Sequence, residues 1–421
     1  MTATDTHRTI DAVWRIESAR VIAHLARLVR DVGLAEELAQ DALVTALEQW
    51  PRSGVPDNPG AWLMATAKNR ALDHLRRKRM LARKHEALAS ELEMEQLLDG
   101  GRLEASAEDE IGDDLLRLMF VACHPLLSTE ARTALTLRLL AGLTTEEIAR
   151  AFLVPEPTVA QRIVRAKRSL SEGQVAFEIP RGAELRARLE SVLEVIYLVF
   201  NEGYSATAGE DWMRPGLCEE ALRLGRILAE LAPEEPEVHG LVALMEIQAS
   251  RLRARIGPNG EPVLLTEQNR ALWDRILMQR GLIALARGET LGEARGPYLL
   301  QAAIAACHAR ALTAGDTDWV YITALYDELA RLTPSPVVEL NRAVAVAMAY
   351  GPAAGLQIAD ALAAGGALKS YHLLPSVRGD LLAKLGRYPE ARGEFERAAK
   401  LTHNARERGL LLDRAAACTR A

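Results

Sequence analysis

Aromatic residues are scarce in this chain, 5% of 421 positions, and the alternating β-branched runs that build half-buried sheets are missing. Ala, Leu, Arg and Glu dominate instead, a composition that favours helix almost throughout and predicts an all-α fold. Cysteine is nearly absent. Cys123, Cys218, Cys307 and Cys418 stand far apart with no C-x-x-C pair, which excludes a disulfide framework and a cysteine-rich zinc site and suits a reducing cytoplasm. No stretch approaches the roughly 20 apolar residues of a membrane span, and the first residues lack the apolar core of a signal peptide. The expectation is a cytoplasmic protein with no membrane association. Glycine-rich phosphate loops and metal-ligand spacings are missing too, so neither a cofactor nor a metal is expected. Nor is an enzyme: the neighbours Cys123-His124 and Cys307-His308 would point about 100° apart on a helix, so neither forms a nucleophile and base by itself. Both cysteines read as small buried thiols.

What is present is a globular chain, 49% hydrophobic and long enough for about three domains. The net charge of −6 is unevenly distributed, and it is the local patch that meets a charged partner. Residues 143 to 170 carry the strongest pattern, a helix, a tight turn and a second helix. Thr144 and Glu147 stand at capping-box spacing, flanked by Leu143 and Ile148 as a hydrophobic staple, so the first helix is predicted to start at Thr144 or Thr145. Leu153-Val154-Pro155 interrupts the periodicity, and Pro157 suits the first turn of the next helix, where a missing N–H leaves no bond unmade. There Val159, Ile163, Ala166 and Leu170 form one core-facing stripe. The opposite face carries Thr158, Gln161, Arg162, Arg165 and Arg168, which could reach base edges near the helix start and phosphates farther along. A solvated helix of a bundle would read the same way on this segment alone.

Upstream, helical patterns run from Ile10 to Arg30 and from Leu34 to Gln49, where Trp50-Pro51 should stop the second. A loop from Pro51 to Gly60 comes next, and a third helix from about Trp62 to Arg79. On that helix Trp62, Asn69, Asp73 and Arg76 fall within about 40° of one line, apart from the stripe of Met64, Ala67, Ala71 and Leu75. Lys68, Arg70, Arg76, Arg77, Lys78, Arg79, Arg83 and Lys84 make this the most basic stretch. An aromatic, an amide and cations along one face are the groups that hold single-stranded nucleic acid. Equally open is a core position for Trp62 and a wet ion pair between Asp73 and Arg76 or Arg77. From Glu86 to Asp114 the charge reverses, around Gly100-Gly101, as in a flexible acidic linker.

The remainder is alanine- and leucine-rich helix broken at Pro233, Pro236, Gly257-Pro258, Gly296-Pro297, Pro334, Pro336 and Gly351-Pro352, as helical hairpins would be. Gly386, Tyr388, Ala391, Phe395 and Ala398 take the spacing of one tetratricopeptide repeat. A stack of such hairpins offers a concave face for a partner, and a plain helical bundle fits as well. The polar loop Asn201 to Trp212, with two aromatics, is a candidate for a ligand or interdomain contact.

Two nucleic-acid elements joined by an acidic linker resemble the extracytoplasmic-function sigma factors of bacterial RNA polymerase. The resemblance rests on Ala-Glu-Glu-Leu-Ala-Gln-Asp-Ala-Leu at 35 to 43, Ala-Trp-Leu-Met-Ala-Thr-Ala-Lys-Asn-Arg-Ala-Leu-Asp-His-Leu-Arg-Arg-Lys-Arg at 61 to 79, and the helix-turn-helix. It covers about residues 1 to 175, and the rest is similar to the subgroup that ends in a tetratricopeptide-like domain. Leu43 stands where the family commonly has Phe, and Glu156-Pro157 is an unusual start for a recognition helix. The resemblance implies region 2 over 1–85, an acidic linker over 86–114, region 4 over 115–178 and a helical extension over 179–421. It further implies core RNA polymerase and promoter DNA as partners. Glu37, Gln40 and Asp41 would contact the polymerase, Trp62, Asn69, Asp73, Arg76 and Arg77 the −10 element, and Thr158, Gln161, Arg162, Arg165 and Arg168 the −35 element. The extension fits a regulatory role, through a ligand or a protein. A stand-alone helix-turn-helix regulator is the competing reading, and it leaves the Trp62 helix unexplained.

Overall fold

Helix dominates the computed structural model, which describes residues 3–85, 104–152, 154–206, 208–258, 260–292, 294–366 and 368–420. The described chain is all-α save one short parallel pairing and one isolated antiparallel bridge, and it divides into two compact units, Met1–Val195 and Ile196–Ala421.

The first unit opens with α1 (Ala3–Val29), α2 (Val32–Ser53) and α3 (Pro59–His85). Ile22 and Leu25 of α1, Leu38, Ala42 and Ala46 of α2, and Leu63, Ala67 and Ala71 of α3 are buried together as the apolar stripes require. Asp31 caps α2, its carboxylate accepting the Leu34 N–H at 2.8 Å. The stop expected at Trp50-Pro51 falls three residues later, because a proline in the last turn removes one hydrogen bond and leaves the residues after it free to stay helical. Gly54, at φ +88, then ends the helix and donates its N–H to the Trp50 carbonyl.

Helix α4 spans Glu104–Ala122, so residues 104–114 of the expected linker are helical, while Glu91, Glu93, Glu95 and Asp99 lie outside the described residues. The helix is anchored by Asp114, 1% exposed, which takes Arg27 of α1 at 3.2 Å and its own Arg117 at 2.7 Å. Then come α5 (Thr129–Leu139), α6 (Thr145–Phe152), α7 (Glu156–Glu172) and α8 (Gly182–Tyr204). The first half of α8 belongs to this unit: Arg188 donates to the Phe120 carbonyl at 2.9 Å, Ser191 to the Cys123 carbonyl at 2.6 Å, and Glu194 pairs with Arg132. The second unit therefore begins inside α8, seventeen residues beyond the boundary expected at 179.

In the second unit prolines open helices, those at 236, 297, 336 and 352 as the sequence suggests. Pro215, Pro236, Pro297, Pro336, Pro352 and Pro389 each occupy the first turn of a helix: α9 (Pro215–Leu231), α10 (Pro236–Ala249), α12 (Pro297–Arg310), α14 (Pro336–Tyr350), α15 (Pro352–Gly365) and α17 (Tyr388–Leu401). Between them stand α11 (Arg275–Leu291), α13 (Trp319–Leu332) and α16 (Leu373–Lys384), and α18 (Ala405–Arg420) comes last. Ala391, Phe395 and Ala398 are buried, and Gly379 of α16 is needed because a Cβ there would lie 2.9 Å from the Phe395 ring. Ala208–Gly209, just after α8, pair in parallel with His403–Asn404, just before α18. Buried Asn404 reinforces the tie by donating to the carbonyls of Ala206 and Asp211, so the first and last segments of this unit are held together.

Candidate nucleic-acid interface

The turn between α6 and α7 is dictated by its residues. Thr144 and Glu147 exchange both capping-box hydrogen bonds, at 2.8 and 3.1 Å, and α7 starts at Glu156 with Pro157 in its first turn. Val159, Ile163, Ala166 and Leu170 are all buried. That fixes the rotation of α7, leaving Gln161, Arg165 and Arg168 exposed and Thr158 and Arg162 half-buried on the other side. Arg168 is engaged by Glu172 at 2.7 Å, one turn along, and that hydrogen bond holds its guanidinium pKa above the ordinary value. Among the described residues Arg165 has no ion-pair partner and Gln161 is exposed, so both can meet a base edge or phosphate without first breaking an ion pair.

On α3, Asn69, Asp73, Arg76 and Arg77 are exposed along one face. Asp73 and Arg76 pair at 3.2 Å with both side chains largely in water, a contact worth little and easily exchanged for a ligand. Trp62 is half-buried, its ring edge-on to fully buried Trp50 with centroids 5.3 Å apart at 70°. One edge of the indole is thus fixed by packing. The N-terminal turn that carries it is anchored by Asn58, whose side chain accepts the Ala61 N–H.

The three polar residues singled out on α2 part company. Glu37 is exposed, Asp41 pairs with Arg70 of α3 at 3.1 Å, and Gln40 donates to Glu36 at 2.7 Å. Along the same face Val44 and Leu47 are exposed, 50% and 36%. Sequence reasoning passed over these two. Their offsets of seven and ten from Glu37 are the available signal, since they continue the outward line of a helix whose inward line is Leu38, Ala42 and Ala46.

Sequence reasoning also passed over Glu36. It is 3% exposed although it is an acid on an amphipathic helix. Its carboxylate accepts from Arg138 Nε of α5 at 2.7 Å and pairs with Lys167 of α7. Arg138 also donates to the Leu143 carbonyl at the entrance to the helix-turn-helix. Weaker contacts flank this centre: Arg15 with Glu147, and Ser171 with Asp31. The helix bundle of α1–α3 and the helix-turn-helix are therefore joined through one buried carboxylate, and one cation of α7 faces inward.

Two of the buried cysteines are held as thiols. Burial pushes the Cys123 thiol up to about 11 and the Cys218 thiol up to about 12, and both remain protonated at neutral pH. His124 accepts from the Leu126 N–H, and Cys307 donates to the Ala303 carbonyl, so neither neighbouring pair is joined as thiol to imidazole. Among the described residues no helix is long and apolar enough to cross a membrane, and no cluster of ligating side chains could hold a metal ion.

Comparison with known proteins gives three family matches. Residues 15–80 match sigma-70 region 2 and residues 117–170 match sigma-70 region 4, and residues 188–289 match a family described only as being of unknown function. An uncharacterised protein of Rhizobium meliloti is 45% identical over 384 residues, covering 91% of this chain and 89% of its own. The ECF RNA polymerase sigma factor SigC of Mycobacterium tuberculosis is 30% identical over 158 residues, 38% of this chain and 75% of its own. The probable ECF sigma factor SigI of the same organism is 26% identical over 176 residues, 41% of this chain and 58% of its own. No solved structure matches.

Proposed function

We propose that this chain, which belongs to the family of RNA polymerase sigma factors, is of the extracytoplasmic-function type and carries bacterial core polymerase to promoters with −10 and −35 elements. It acts in the cytoplasm, contributes no catalysis, and needs no cofactor. The outward line of α2, with Glu37, Gln40, Asp41, Val44 and Leu47, docks on the polymerase. The exposed face of α3, with Asn69, Asp73, Arg76, Arg77 and the free edge of Trp62, captures the unpaired −10 strand. Opening a duplex costs unstacking and unpairing energy, and a face that stacks a base and neutralises phosphates recovers part of it. Helix α7 enters the −35 major groove with Thr158, Gln161, Arg162 and Arg165 toward the bases and Arg168 toward phosphate.

The observation that carries this reading is the presence, in one compact unit, of two separate outward-facing basic helices with different chemistry. One suits duplex and the other an unpaired strand. A stand-alone regulator has use only for α7. The second unit we read as a tetratricopeptide-like regulatory extension. The α16–α17 hairpin supports this, because its buried Ala391, Phe395 and Ala398 sit at the repeat's own spacing.

Run-off transcription with purified core polymerase tests the proposal, on promoters selected from genomic fragments. Promoter-specific transcripts from core plus the full chain, and none from core alone, are expected. If the full chain fails to redirect the polymerase yet binds duplex DNA unaided, the stand-alone regulator takes its place.

A further inference from the structure

Three arginines of the second unit stand together with no carboxylate in direct contact among the described residues. Arg251 and Arg255 come after α10, and Arg270 lies in the irregular segment before α11. Arg255 is 6% exposed, its Cζ 3.4 Å from the centre of the ring of Tyr204, the last residue of α8, and 4.4 Å from that of Trp212 in the loop that follows. Arg251 lies over Tyr204 at 5.8 Å and over Trp273 at 5.7 Å. Arg270 lies over the same Trp273 at 4.8 Å. The guanidiniums therefore form a row, each sharing an aromatic ring with the next, and Arg251 is in the middle.

Buried cations are almost always paired, and among the described residues none of these three meets a carboxylate at ion-pair distance. The acids nearby are engaged elsewhere. Glu407 holds His372 at 3.1 Å and Thr402 at 2.8 Å, and Asp316 caps the backbone at Thr313. Instead the arginines lean on neutral oxygens: Arg255 on the Tyr204 carbonyl, Arg251 on the Tyr204 hydroxyl, and Arg270 on the carbonyls of His308 and Ala311. They also repel one another. Burial first, and Arg251 after it, lower the pKa of both neighbours of Arg251, Arg255 to about 10, while Glu407 and Asp316 act the other way.

A second observation points the same way. Trp273, 5% exposed, lies between Arg251 and Arg270, and among the described residues its indole N–H has no hydrogen-bond partner; nor has the Nε of Arg251. Unmet donors in a buried place are costly. Here two of them accompany guanidiniums that no carboxylate meets at ion-pair distance, and an anion seated beside the Trp273 ring would face Arg251 and Arg270 together. Arg251 and Arg270 are only half-buried, which leaves a side from which it could enter.

We propose that Arg251, Arg270 and the Trp273 indole N–H form a binding site for a phosphate group, with Arg255 behind it as a fixed positive charge. Planar guanidiniums present paired donors matched to an oxyanion, and a dianion balances the row better than a single carboxylate does. The ligand is a free phosphate ion or a phosphorylated small molecule. All the named residues fall within the span 188–289 that matches the family of unknown function. The site gives the extension a chemical input, and its existence does not depend on the role proposed for the first unit.

Titration calorimetry and thermal unfolding of the full chain test it, with sodium phosphate and with adenosine monophosphate, each against sodium chloride of equal ionic strength. Saturable binding and a rise in Tm beyond the chloride control are expected with at least one probe. Phosphate alone identifies the free ion, and the nucleotide alone a phosphorylated small molecule. Arg251→Gln should weaken binding at least tenfold, whereas Arg287→Gln, remote on α11 and paired with Glu234, should leave it unchanged. Should Arg251→Gln fail to fold by circular dichroism, Arg251→Lys keeps the charge and loses the fork, and a five- to tenfold weakening is expected. No saturable response in the unaltered chain to either probe overturns the proposal, as does equal affinity in the folded Arg251 variants.

Discussion

Replacing Glu36 by Gln should release the helix-turn-helix from the α1–α3 bundle. The motive is geometric. Positions −10 and −35 differ by about 25 base pairs, about 85 Å of duplex at 3.4 Å per pair. The 27-residue α3 and the 17-residue α7 measure about 40 and about 25 Å, so even end to end they fall short. For one molecule to hold both elements, as the proposed function has it, the tie of α7 to α2 through Glu36 would have to break. Glutamine keeps the shape of Glu36 and one acceptor, but it loses the charge that gathers Arg138 and Lys167. Charge-assisted hydrogen bonds contribute about 1.5–3 kcal/mol each, and removing one partner of a buried pair costs about 3–5 kcal/mol when the other is stranded. Neither cation is stranded here, since Arg138 and Lys167 keep 23% and 25% of their side-chain surface, and the burial cost of the carboxylate disappears as well. A net change of about 2 kcal/mol in the docking equilibrium is expected, about thirtyfold in the open fraction.

Energy transfer between dyes on α2 and α6 reads this directly, using Glu48→Cys and Arg150→Cys, both exposed, in a Cys418→Ser background. The distance is a better primary readout than transcription, because Glu36 adjoins the residues proposed to meet the polymerase. Lys167→Met should open the unit similarly, and the double variant should do little more than either alone, as partners in one contact do. Arg15→Gln breaks the exposed pair with Glu147 and should move the equilibrium by less than about 0.5 kcal/mol. If folded Glu36→Gln keeps the distance distribution of the unaltered chain, the carboxylate is not what joins the two parts.

Arg165→Ala should lower promoter-specific transcription about 5- to 100-fold, the worth of one good base or phosphate contact, with the fold unchanged by circular dichroism. Phe395→Ala empties the centre of the α16–α17 hairpin; a loss of about 3–5 kcal/mol is expected, seen as a drop of about 10 °C in the unfolding of the second unit. His308 of α12 is held from its ordinary 6.5 down to about 4, first by burial and then by Arg251 and Arg270. Between those values the unfolded chain binds the extra proton, so stability is complete above about pH 6.5 and falls as the pH drops toward 4. The loss is about 3 kcal/mol at about 1.4 kcal/mol per pH unit, and denaturant melts of His308→Gln between pH 7 and 4 should show a correspondingly flatter slope.

Local chemistry made most elements readable. The capping box at Thr144 and Glu147, the stripe Val159, Ile163, Ala166 and Leu170, and the helix-starting prolines at 236, 297, 336 and 352 stand where their spacing put them. Failures came where a distant partner decides. Nothing adjacent to Glu36 marks it as buried, because its cations come from 102 and 131 residues farther along. Helix α8 reads as one amphipathic run, and only contacts with Phe120, Cys123 and Arg132 assign its first half to the earlier unit. The arginine row was equally hidden, since Arg251 and Arg270 are joined by a tryptophan that either could have ignored.

The same distinction bears on how the basic character of α7 should be weighed. By composition its cations are Arg162, Arg165, Lys167 and Arg168, a face any polyanion could attract. The packing separates them. Lys167 points to Glu36 and Arg168 is shared with Glu172, whereas Arg165 stands clear. Docked, the helix offers DNA fewer free charges than its sequence counts. Undocking would expose Lys167 as well as give α7 the reach that the proposed function asks of it. Affinity for duplex should therefore rise on opening. Lys167→Met then serves as a control on Glu36→Gln: both open the unit, but only Glu36→Gln leaves the added cation for phosphate, and its binding should show the steeper dependence on salt.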